Sequence, residues 1–542
     1  MRSDVRPRRP KPANRVWCAP LLCLVLSACG GGDGASISPL AMAPPATAGD
    51  GVVAPMPPAV PAVVPPSLEG IEYLDIAGLS EKMAQGATSR DMATYLLARI
   101  DALDKKGPAV NAVIELNPDA MAIADQLDAE RASGKSRGPL HGIPVFLKDN
   151  IDTGDRMQTA AGSLALVGEP APQDAFVAKK LREAGALILG KTNLSELSGF
   201  RSLFLPSGWS GRGGQTLNAH VLDGEPCGSS AGSAVAVAAG FVPIAIGTET
   251  DGSILCPAAM NGIVGIRPTL GLVSRTGVVP IASIQDTPGP MARTVRDAAL
   301  LLSAMAAADP KDTATADAQA HVVDFTKFLS PDGLKGKRIG YAPGLYATAD
   351  FYPDFMGALD TLRRLGATVV TVESPNESEV DEWTLLTYYF GRELNAYLAT
   401  RTGLPVKNIE ELQAFNKTTP LRPDGTPYSQ WWIDQAVALL GPPTVPYEQL
   451  AREQKARVAG EFDRVLTSNG LDALVSPGRS GAMAGYPGIT VPMGIDSGGM
   501  PVAIFFVGTR WSEPTLLSIA YGFEQATKAR RNPEFRKNAP VP

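Results

Sequence analysis

Histidine, cysteine and aromatic residues are all scarce in this sequence. Its 542 residues include three histidines, five cysteines and only 6% aromatic residues. Basic residues are also few, since 49 Lys and Arg face 55 Asp and Glu. Binding to a phosphate backbone needs a basic surface, so no nucleic-acid partner is expected. The histidines, His141, His220 and His321, each lie alone in loop-like sequence, which does not favour a histidine-based catalytic triad.

The few cysteines argue against a fold held together by disulfides. Cys18, Cys23 and Cys29 lie close to the N-terminus, which leaves Cys227 and Cys256 for the rest of the chain. Two cysteines in a domain of this size are not a disulfide scaffold. We expect two small buried thiols, although an oxidising compartment would permit a single bridge.

The N-terminal apolar run, residues 16–28, is too short to span a bilayer, which takes about 20 residues. Six basic residues precede it, as is typical of a secretion signal. Its end, Leu26-Ser27-Ala28-Cys29, resembles the lipobox of bacterial lipoproteins, which implies cleavage before Cys29 and acylation of its thiol. Because Gly30 follows this cysteine, the resemblance favours an anchor in the outer membrane over retention at the inner membrane. We predict a signal peptide over residues 1–28 and a lipid anchor at the periplasmic face of the outer membrane, with a soluble secreted protein as the alternative.

The next segment separates this anchor from the remainder of the chain. Residues 29–66 consist mainly of Gly, Ala, Pro and Val with almost no charge. Such a composition cannot offset the entropy of ordering by burying a core, so a disordered, semi-extended tether is predicted. Residues 67–542 contain neither a repeat at a fixed period nor a second linker. They are predicted to form one large domain.

Short apolar runs alternate with helical patterns through this domain. Thr88-Ser89-Arg90-Asp91 is a typical helix start, and apolar residues follow it at helical spacing. The alternation of short apolar runs and helices predicts an α/β fold with a central mixed β-sheet covered by helices. The apolar runs lie at 144–147, 186–189, 242–246 and 502–507.

A mainly helical region, residues 375–460, gathers many of the aromatic residues. Core packing and the lining of a pocket would produce the same pattern, so the sequence leaves both open. These aromatic residues are Trp383, Tyr388, Tyr389, Phe390, Trp431 and Trp432.

Two clusters of small and hydroxyl residues, at 228–233 and 248–253, flank an apolar stretch. A Gly/Ser-rich segment is normally a loop, but apolar flanks predict burial, where an unpaired hydroxyl is unfavourable. Lys148 ends the apolar run at 144–147, and burial lowers the pKa of a lysine enough to make it a base near pH 7. From these residues alone, a structural lysine that is ion-paired or reaches the surface remains the more frequent outcome.

Several motifs together resemble the amidase signature family. Their order and spacing are specific, and the resemblance extends over roughly residues 70–530. The motifs are Gly142-Ile143-Pro144, Leu147-Lys148-Asp149-Asn150, Cys227-Gly228-Ser229-Ser230-Ala231-Gly232-Ser233, Thr248-Glu249-Thr250-Asp251-Gly252-Ser253 and Cys256-Pro257-Ala258, with further similar runs at 190–193, 211–216 and 285–290.

This resemblance implies an amidase that cleaves carboxamide bonds through an acyl-enzyme. Ser253 would be the nucleophile, Ser229 a bridging serine that follows a cis peptide bond, and Lys148 the base. Water would then release the acyl group, so the resemblance implies no metal site and no organic cofactor. The oxyanion hole would be formed by the backbone amides of Thr250, Asp251, Gly252 and Ser253, with Ser230 and Ser233 as supporting residues.

Some positions depart from the common family pattern. Asp251 replaces a frequent Gly, and Leu255 replaces a frequent basic residue; both features are similar to the bacterial peptide amidases, which deamidate C-terminal carboxamides. The segment between Ser476-Pro477 and Gly485 is shorter than usual, which implies a different acyl pocket. The expected partner is therefore a peptide or other small amide, with membrane contact only through the lipid anchor and the oligomeric state left open.

Three alternatives follow from the sequence. Gly185 to Thr192 fits the pattern of a phosphate-binding loop, but its middle residues are a strand-forming apolar run. Gly228 to Gly232 fits the nucleophile elbow of an α/β-hydrolase esterase, with Ser230 attacking and His321 as the only downstream histidine. The third is a non-catalytic lipoprotein that uses the fold as a binding module.

Overall fold

The computed structural model describes most of the chain from residue 68 onward. The signal peptide predicted at 1–28 and the tether at 29–66, which includes Cys29, lie outside the described residues, as does 477–480 in the shortened segment. In the described part of the chain, no helix is long and apolar enough to cross a membrane. The described residues are 68–343, 352–377, 381–443, 445–476 and 481–537.

Some of the helices begin at a residue whose side chain caps the first turn, as α1, α2, α7, α9 and α10 do. α2 starts after Thr88, whose side chain accepts from the Asp91 amide while the Asp91 carboxylate accepts from the Thr88 amide, a capping box that confirms the predicted helix start. The α-helices are α1 Ile76–Ala84, α2 Ser89–Leu103, α3 Ala120–Ala132, α4 Phe176–Glu183, α5 Ala231–Ala238, α6 Leu255–Met260, α7 Val295–Met305, α8 Tyr352–Arg364, α9 Glu382–Leu398, α10 Ile409–Phe415, α11 Trp431–Ala438, α12 Tyr447–Ser468 and α13 Glu513–Thr527. Short 3₁₀ helices lie at Ile71–Tyr73, Leu164–Leu166, Glu196–Gly199, Thr313–Thr315, Ala318–Ala320 and Phe325–Phe328.

Eleven strands among the described residues form one mixed sheet, in the order β1-β3-β2-β6-β8-β7-β12-β13-β11-β9-β10, and β4 pairs with β5 separately. This is the single large α/β domain with a mixed sheet that the sequence predicts. The strands are β1 Val113–Leu116, β2 Pro144–Lys148, β3 Leu187–Thr192, β4 Trp209–Ser210, β5 Gly214–Gln215, β6 Ile244–Glu249, β7 Val264–Arg267, β8 Thr287–Ala292, β9 Arg338–Tyr341, β10 Thr368–Thr371, β11 Ala473–Ser476, β12 Gly488–Ile495 and β13 Pro501–Val507.

Each predicted apolar run lies in or overlaps a strand, but the strands extend beyond the apolar residues. β2 continues through Lys148, and β6 continues through Glu249 because its last residues pair with β8, with Thr248 opposite Pro288. Pairing with neighbouring strands therefore carries polar residues into the sheet. The extension of β6 places the start of the hydroxyl-rich motif at 248–253 in a buried strand.

Helices cover both faces of the sheet at β2. Val145 and Leu147 pack into a core shared with α7 and α13, whereas Phe146 packs into a second core shared with α5. Side chains alternate along a strand, so Lys148 points to the same face as Phe146. The strand thereby directs the lysine toward the start of α5.

The expectation of free thiols at Cys227 and Cys256 is wrong, because the two residues form a disulfide. Cys227 precedes the loop that leads into α5, and Cys256 lies in the first turn of α6. The sheet brings these segments together, so that the two Cα atoms lie 6.0 Å apart although 29 residues separate them in sequence. The spacing of two cysteines gives no information about such a non-local approach.

Reduction of this disulfide is expected to lower the free energy of unfolding by about 2–4 kcal/mol, because the bridge restricts a loop of this length in the unfolded chain. Urea unfolding with and without a thiol reductant measures the change. A Cys227→Ser/Cys256→Ser variant is the control, since its unfolding should no longer respond to the reductant. An equal unfolding midpoint for oxidised and reduced wild type would contradict the expectation.

Candidate active site

Lys148 lies fully buried at the end of β2 and reaches a serine on the α5 side. Its Nζ atom donates to Ser229 Oγ at 2.7 Å. Two further contacts join Nζ to Thr248 at the end of β6, at 2.9 Å to Oγ1 and 3.2 Å to the carbonyl oxygen. The amine is thus held in one position by two neighbouring elements.

Burial lowers the pKa of Lys148 to about 7, and the nearby carboxylates of Asp286 and Glu249 only partly oppose this shift. At neutral pH a large fraction of the amine is therefore uncharged. An uncharged amine has a free electron pair, which can accept the hydrogen of the Ser229 hydroxyl. The geometry and the pKa together give Lys148 the properties of a general base.

Ser229 occupies a tightly packed turn before α5. The peptide bond between Gly228 and Ser229 is cis, as the family resemblance implies. The Ser229 carbonyl accepts from the Ser195 amide at 3.0 Å, and a Cβ atom at Gly228 would collide with Ser195 Oγ. A side chain at residue 228 would therefore displace the Ser195 hydroxyl, because the segment around Ser195 packs directly against the turn.

Ser230 and Ser233 fix the start of α5 against the sheet. Ser230 Oγ donates to the Thr248 carbonyl at 3.1 Å and accepts from the Thr248 amide at 3.2 Å. Ser233 Oγ bonds the Ile246 carbonyl at 3.1 Å and Thr192 Oγ1 at 2.7 Å. Both hydroxyls are thus engaged in positioning contacts of the kind expected for supporting residues.

Ser253 lies half-buried in the turn between β6 and α6. Its carbonyl accepts from the Ser230 amide at 3.2 Å, which fastens the two serine-bearing segments together. Gly252 adopts a positive φ of 78°, and its carbonyl accepts from the Cys256 amide at 2.9 Å. Within the described residues the Ser253 hydroxyl makes no hydrogen bond, so the structure joins Lys148 to Ser229 directly but does not show a bond from Ser229 to Ser253.

Two buried carboxylates, which the sequence does not single out, hold this turn. Glu249 accepts from the amides of Ile254 and Leu255 at 2.7 and 3.0 Å. Asp286 accepts from Thr250 Oγ1 at 2.5 Å, and burial raises the pKa of its carboxyl group. An acidic residue inside an otherwise buried strand is the signal that could have identified Glu249.

A second polar cluster fixes the chain beyond Lys148. Asp149 is buried and accepts from Arg212 at 3.0 Å. Lys191, fully buried in β3, donates to the Ile151 carbonyl at 2.6 Å and to Thr159 Oγ1 at 3.0 Å. Since the residues of the phosphate-loop pattern form this buried strand, they expose no amides that could hold a phosphate.

The esterase alternative finds no support in the geometry. Both partners of the Ser230 hydroxyl are backbone atoms of Thr248. His321 instead stacks on Trp511, with ring centroids 4.1 Å apart and planes 4° from parallel. The arrangement thus pairs Ser229 with a lysine, and it assigns no base to Ser230.

The mixed sheet, the buried lysine and the two serine-bearing turns define an amide-hydrolysing enzyme of the α/β class, and comparison with known proteins agrees. The family model described as Amidase matches residues 91–482. This chain belongs to the amidase signature family.

Relatives from bacteria and plants resemble most of the chain. The X-ray structure of a peptide amidase from Stenotrophomonas maltophilia is 46% identical with a TM-score of 0.81, and the match covers 87% of this chain and 99% of that one. The crystal structure of an amidase family protein from Bacillus anthracis is 38% identical with a TM-score of 0.81, and 86% and 93% of the two chains are covered. A probable amidase of Arabidopsis thaliana is 42% identical over 451 residues, 80% of this chain and 87% of the relative.

Proposed function

We propose that this enzyme hydrolyses C-terminal carboxamides of peptides, or other small amides, with Ser253 as nucleophile, Ser229 as bridging serine and Lys148 as base. The observation that carries the proposal is the 2.7 Å contact between Lys148 Nζ and Ser229 Oγ, beside the turn that holds Ser253. The lowered pKa of Lys148, about 7, supports the same assignment.

In the proposed reaction, Lys148 accepts the proton of Ser229 while Ser229 accepts that of Ser253. The Ser253 oxygen then attacks the carbonyl carbon of the amide. The proton returns along the same path to the nitrogen of the departing amine, so the C–N bond breaks and ammonia leaves. Water enters by the same base-assisted route and releases the carboxylic acid. General acid–base assistance of this kind contributes about 10²–10⁴-fold in rate.

The charge that develops on the carbonyl oxygen needs hydrogen-bond donors. We assign this role to the backbone amides of Thr250, Asp251, Gly252 and Ser253. The carboxylates of Glu249 and Asp286 support the assignment, since they bond residues on both sides of this turn and keep its backbone in place. Loss of one such donor typically reduces kcat by about 10²–10³-fold.

A peptide carboxamide is the favoured substrate class. The solved relative from Stenotrophomonas maltophilia is a peptide amidase and matches nearly its whole length. At Asp251 and Leu255, which depart from the common family pattern, the sequence resembles that of bacterial peptide amidases. Residues 477–480 of the shortened segment lie outside the described residues, and none of them has a role in the proposed reaction.

Ammonia release from a panel of peptide amides, fatty amides and aryl amides tests the proposed activity. The purified full-length protein is expected to deamidate peptide amides fastest. Faster hydrolysis of fatty or aryl amides would contradict the proposed substrate class but not the proposed amidase mechanism. No release from any amide by folded protein would instead favour the non-catalytic binding module.

His321→Ala is expected to leave amide hydrolysis within about twofold of wild type, because His321 stacks on Trp511 and takes no part in the proposed relay. Initial rates on one peptide amide measure the effect. An esterase mechanism through Ser230 requires a histidine base and predicts near-complete loss. Such a loss, in a variant with an unchanged unfolding midpoint, would contradict the lysine-dependent mechanism.

We also propose export and a lipid anchor at Cys29. The N-terminal signal and its lipobox support this, and so does the disulfide, because disulfides persist in oxidising compartments. Bacteria that express the full chain should incorporate labelled palmitate into the wild type and none into Cys29→Ser. Unlabelled wild-type protein would contradict the anchor.

A further inference from the structure

An aromatic cluster lies partly exposed next to the proposed active site. Phe200, Trp383 and Trp432 stack on one another, with ring centroids 5.3–6.3 Å apart and planes within 28° of parallel. Trp431 contacts Trp432 edge-on at 4.4 Å, and Phe204 approaches Trp431 at 6.5 Å. We call these five residues the aromatic cluster.

The exposure of the cluster is unusual for such large apolar side chains. Trp383 is 47% exposed and Phe204 is 65% exposed, whereas Phe200 is buried beneath them. Scattered apolar residues at a surface are common, but a contiguous group of aromatic rings marks a binding surface. The cluster therefore has a buried base and an open apolar face.

One connection ties the cluster to Ser229. Phe200 directly follows Gly199, and a Cβ atom built on Gly199 would lie 4.0 Å from the Ser229 Cβ. The same segment is fastened to the catalytic turn by the bond from the Ser195 amide to the Ser229 carbonyl. Phe200, at the buried base of the cluster, is therefore the chain neighbour of a glycine that lies close to the proposed bridging serine.

A second connection ties the cluster to the proposed oxyanion turn. Trp383 directly follows Glu382, whose carboxylate accepts from Gln285 Nε2 at 2.6 Å. The same Nε2 donates to the Thr250 carbonyl at 3.4 Å. The chain neighbours of Phe200 and Trp383 are therefore linked to the two turns that carry the proposed bridging serine and oxyanion hole.

The rings of the cluster are apolar, and the ions beside Phe200 in sequence are paired with each other. Glu196 and Arg201 lie 2.6 Å apart and are each 1% exposed, so their charges neutralise each other. An apolar or aromatic side chain gains by stacking on such rings, whereas a charged group would lose hydration.

The proposed reaction also dictates which part of the substrate this surface meets. When a primary carboxamide is hydrolysed the leaving group is ammonia, so every recognisable substituent lies on the acyl side of the broken bond. Resting on the proposed function, we propose that the aromatic cluster is the acyl-side subsite for an apolar or aromatic side chain of an amidated peptide.

Trp383→Ala tests the subsite, with two peptide amides that differ only in phenylalanine or glycine before the carboxamide. The wild type is expected to have a higher kcat/KM for the phenylalanine amide than for the glycine amide. In the variant the ratio of these two kcat/KM values should be about tenfold smaller, which corresponds to ~1.4 kcal/mol. The loss should appear chiefly as a higher KM for the phenylalanine amide. Trp383→Phe, which keeps an aromatic ring, should retain most of the ratio.

Phe328→Ala is the matched control, because Phe328 is also an exposed aromatic residue, at 38%, but lies in the 3₁₀ helix Phe325–Phe328, outside the aromatic cluster. It should leave the ratio unchanged. Absence of a wild-type preference, or an equal loss on both amides in Trp383→Ala, would overturn the subsite. The proposed function fails in a different way, if the wild type releases ammonia from neither amide.

Discussion

Ser253→Ala is expected to reduce amide hydrolysis by on the order of 10⁴- to 10⁶-fold, because the variant has no nucleophile with which to form an acyl-enzyme. The Ser253 hydroxyl makes no hydrogen bond within the described residues, so its removal should leave the free energy of unfolding nearly unchanged. Ammonia release and urea unfolding of the same preparation measure the two quantities. Activity near the wild-type level in the variant would sink the assignment.

Ser230→Ala is the matched control for this change. Its hydroxyl forms two buried bonds with Thr248, so its loss should cost about 1–3 kcal/mol of stability and reduce activity far less than Ser253→Ala. An esterase elbow predicts the opposite order of the two variants. The pair therefore separates the two nucleophile assignments even if both variants are partly impaired.

Lys148→Met is expected to reduce kcat/KM by about 10²–10⁴-fold, the usual contribution of a general base. In the wild type, kcat/KM should rise with pH through about 7, because burial lowers the pKa of Lys148 to that value and only the neutral amine accepts a proton. The variant should lose this inflection. A pH profile with the same inflection in both proteins would assign it to another group.

Lys191→Met is the control for the lysine variant. Lys191 is equally buried, but its amine is bonded to Ile151 and Thr159 rather than to a serine. Its removal takes the lysine donor from the Gln158 carbonyl and weakens the bonding of the Ile151 carbonyl, so it should lower stability. The inflection near pH 7 should nevertheless remain in this variant.

The buried Lys148 amine also links stability to pH. Its pKa is lower in the folded chain than its ordinary value of 10.5, so between about pH 7 and 10.5 the folded state binds fewer protons than the unfolded state. The Lys148 contribution to the free energy of unfolding therefore rises with pH across that interval. The unfolding free energy of the wild type minus that of Lys148→Met should therefore increase from about pH 7 to 10.5. If the unfolding free energies of the two proteins change with pH in parallel, this expectation is contradicted.

Local signals were sufficient for much of the fold. The capping residues before α2 and the apolar run before Lys148 each depend on neighbours in sequence, and both elements form as predicted. The mainly helical pattern of residues 375–460 likewise corresponds to α9, α10, α11 and α12. Of its aromatic residues, Phe390 is buried in the core, as one of the two alternatives requires, whereas Trp383 is 47% exposed.

Other features depend on segments that are distant in sequence. The disulfide joins residues 29 positions apart, and Lys148 meets Ser229 across 81 positions. Parallel pairing of β2 with β6, together with α5 packing on their shared face, creates that second contact. No spacing rule connects two such positions, so only the family resemblance pointed to the lysine and serine as a pair.

The sequence by itself determined the α/β class, the strand that ends in Lys148 and the two serine motifs, because these follow from periodicity, caps and short-range patterns. The tertiary structure alone decided the disulfide, the carboxylates of Glu249 and Asp286 that hold the turn, and the stacking of Phe200, Trp383 and Trp432. The physical reason is that burial, pKa and contact are properties of the space around a side chain. That space is built by strands and helices that lie far apart along the chain.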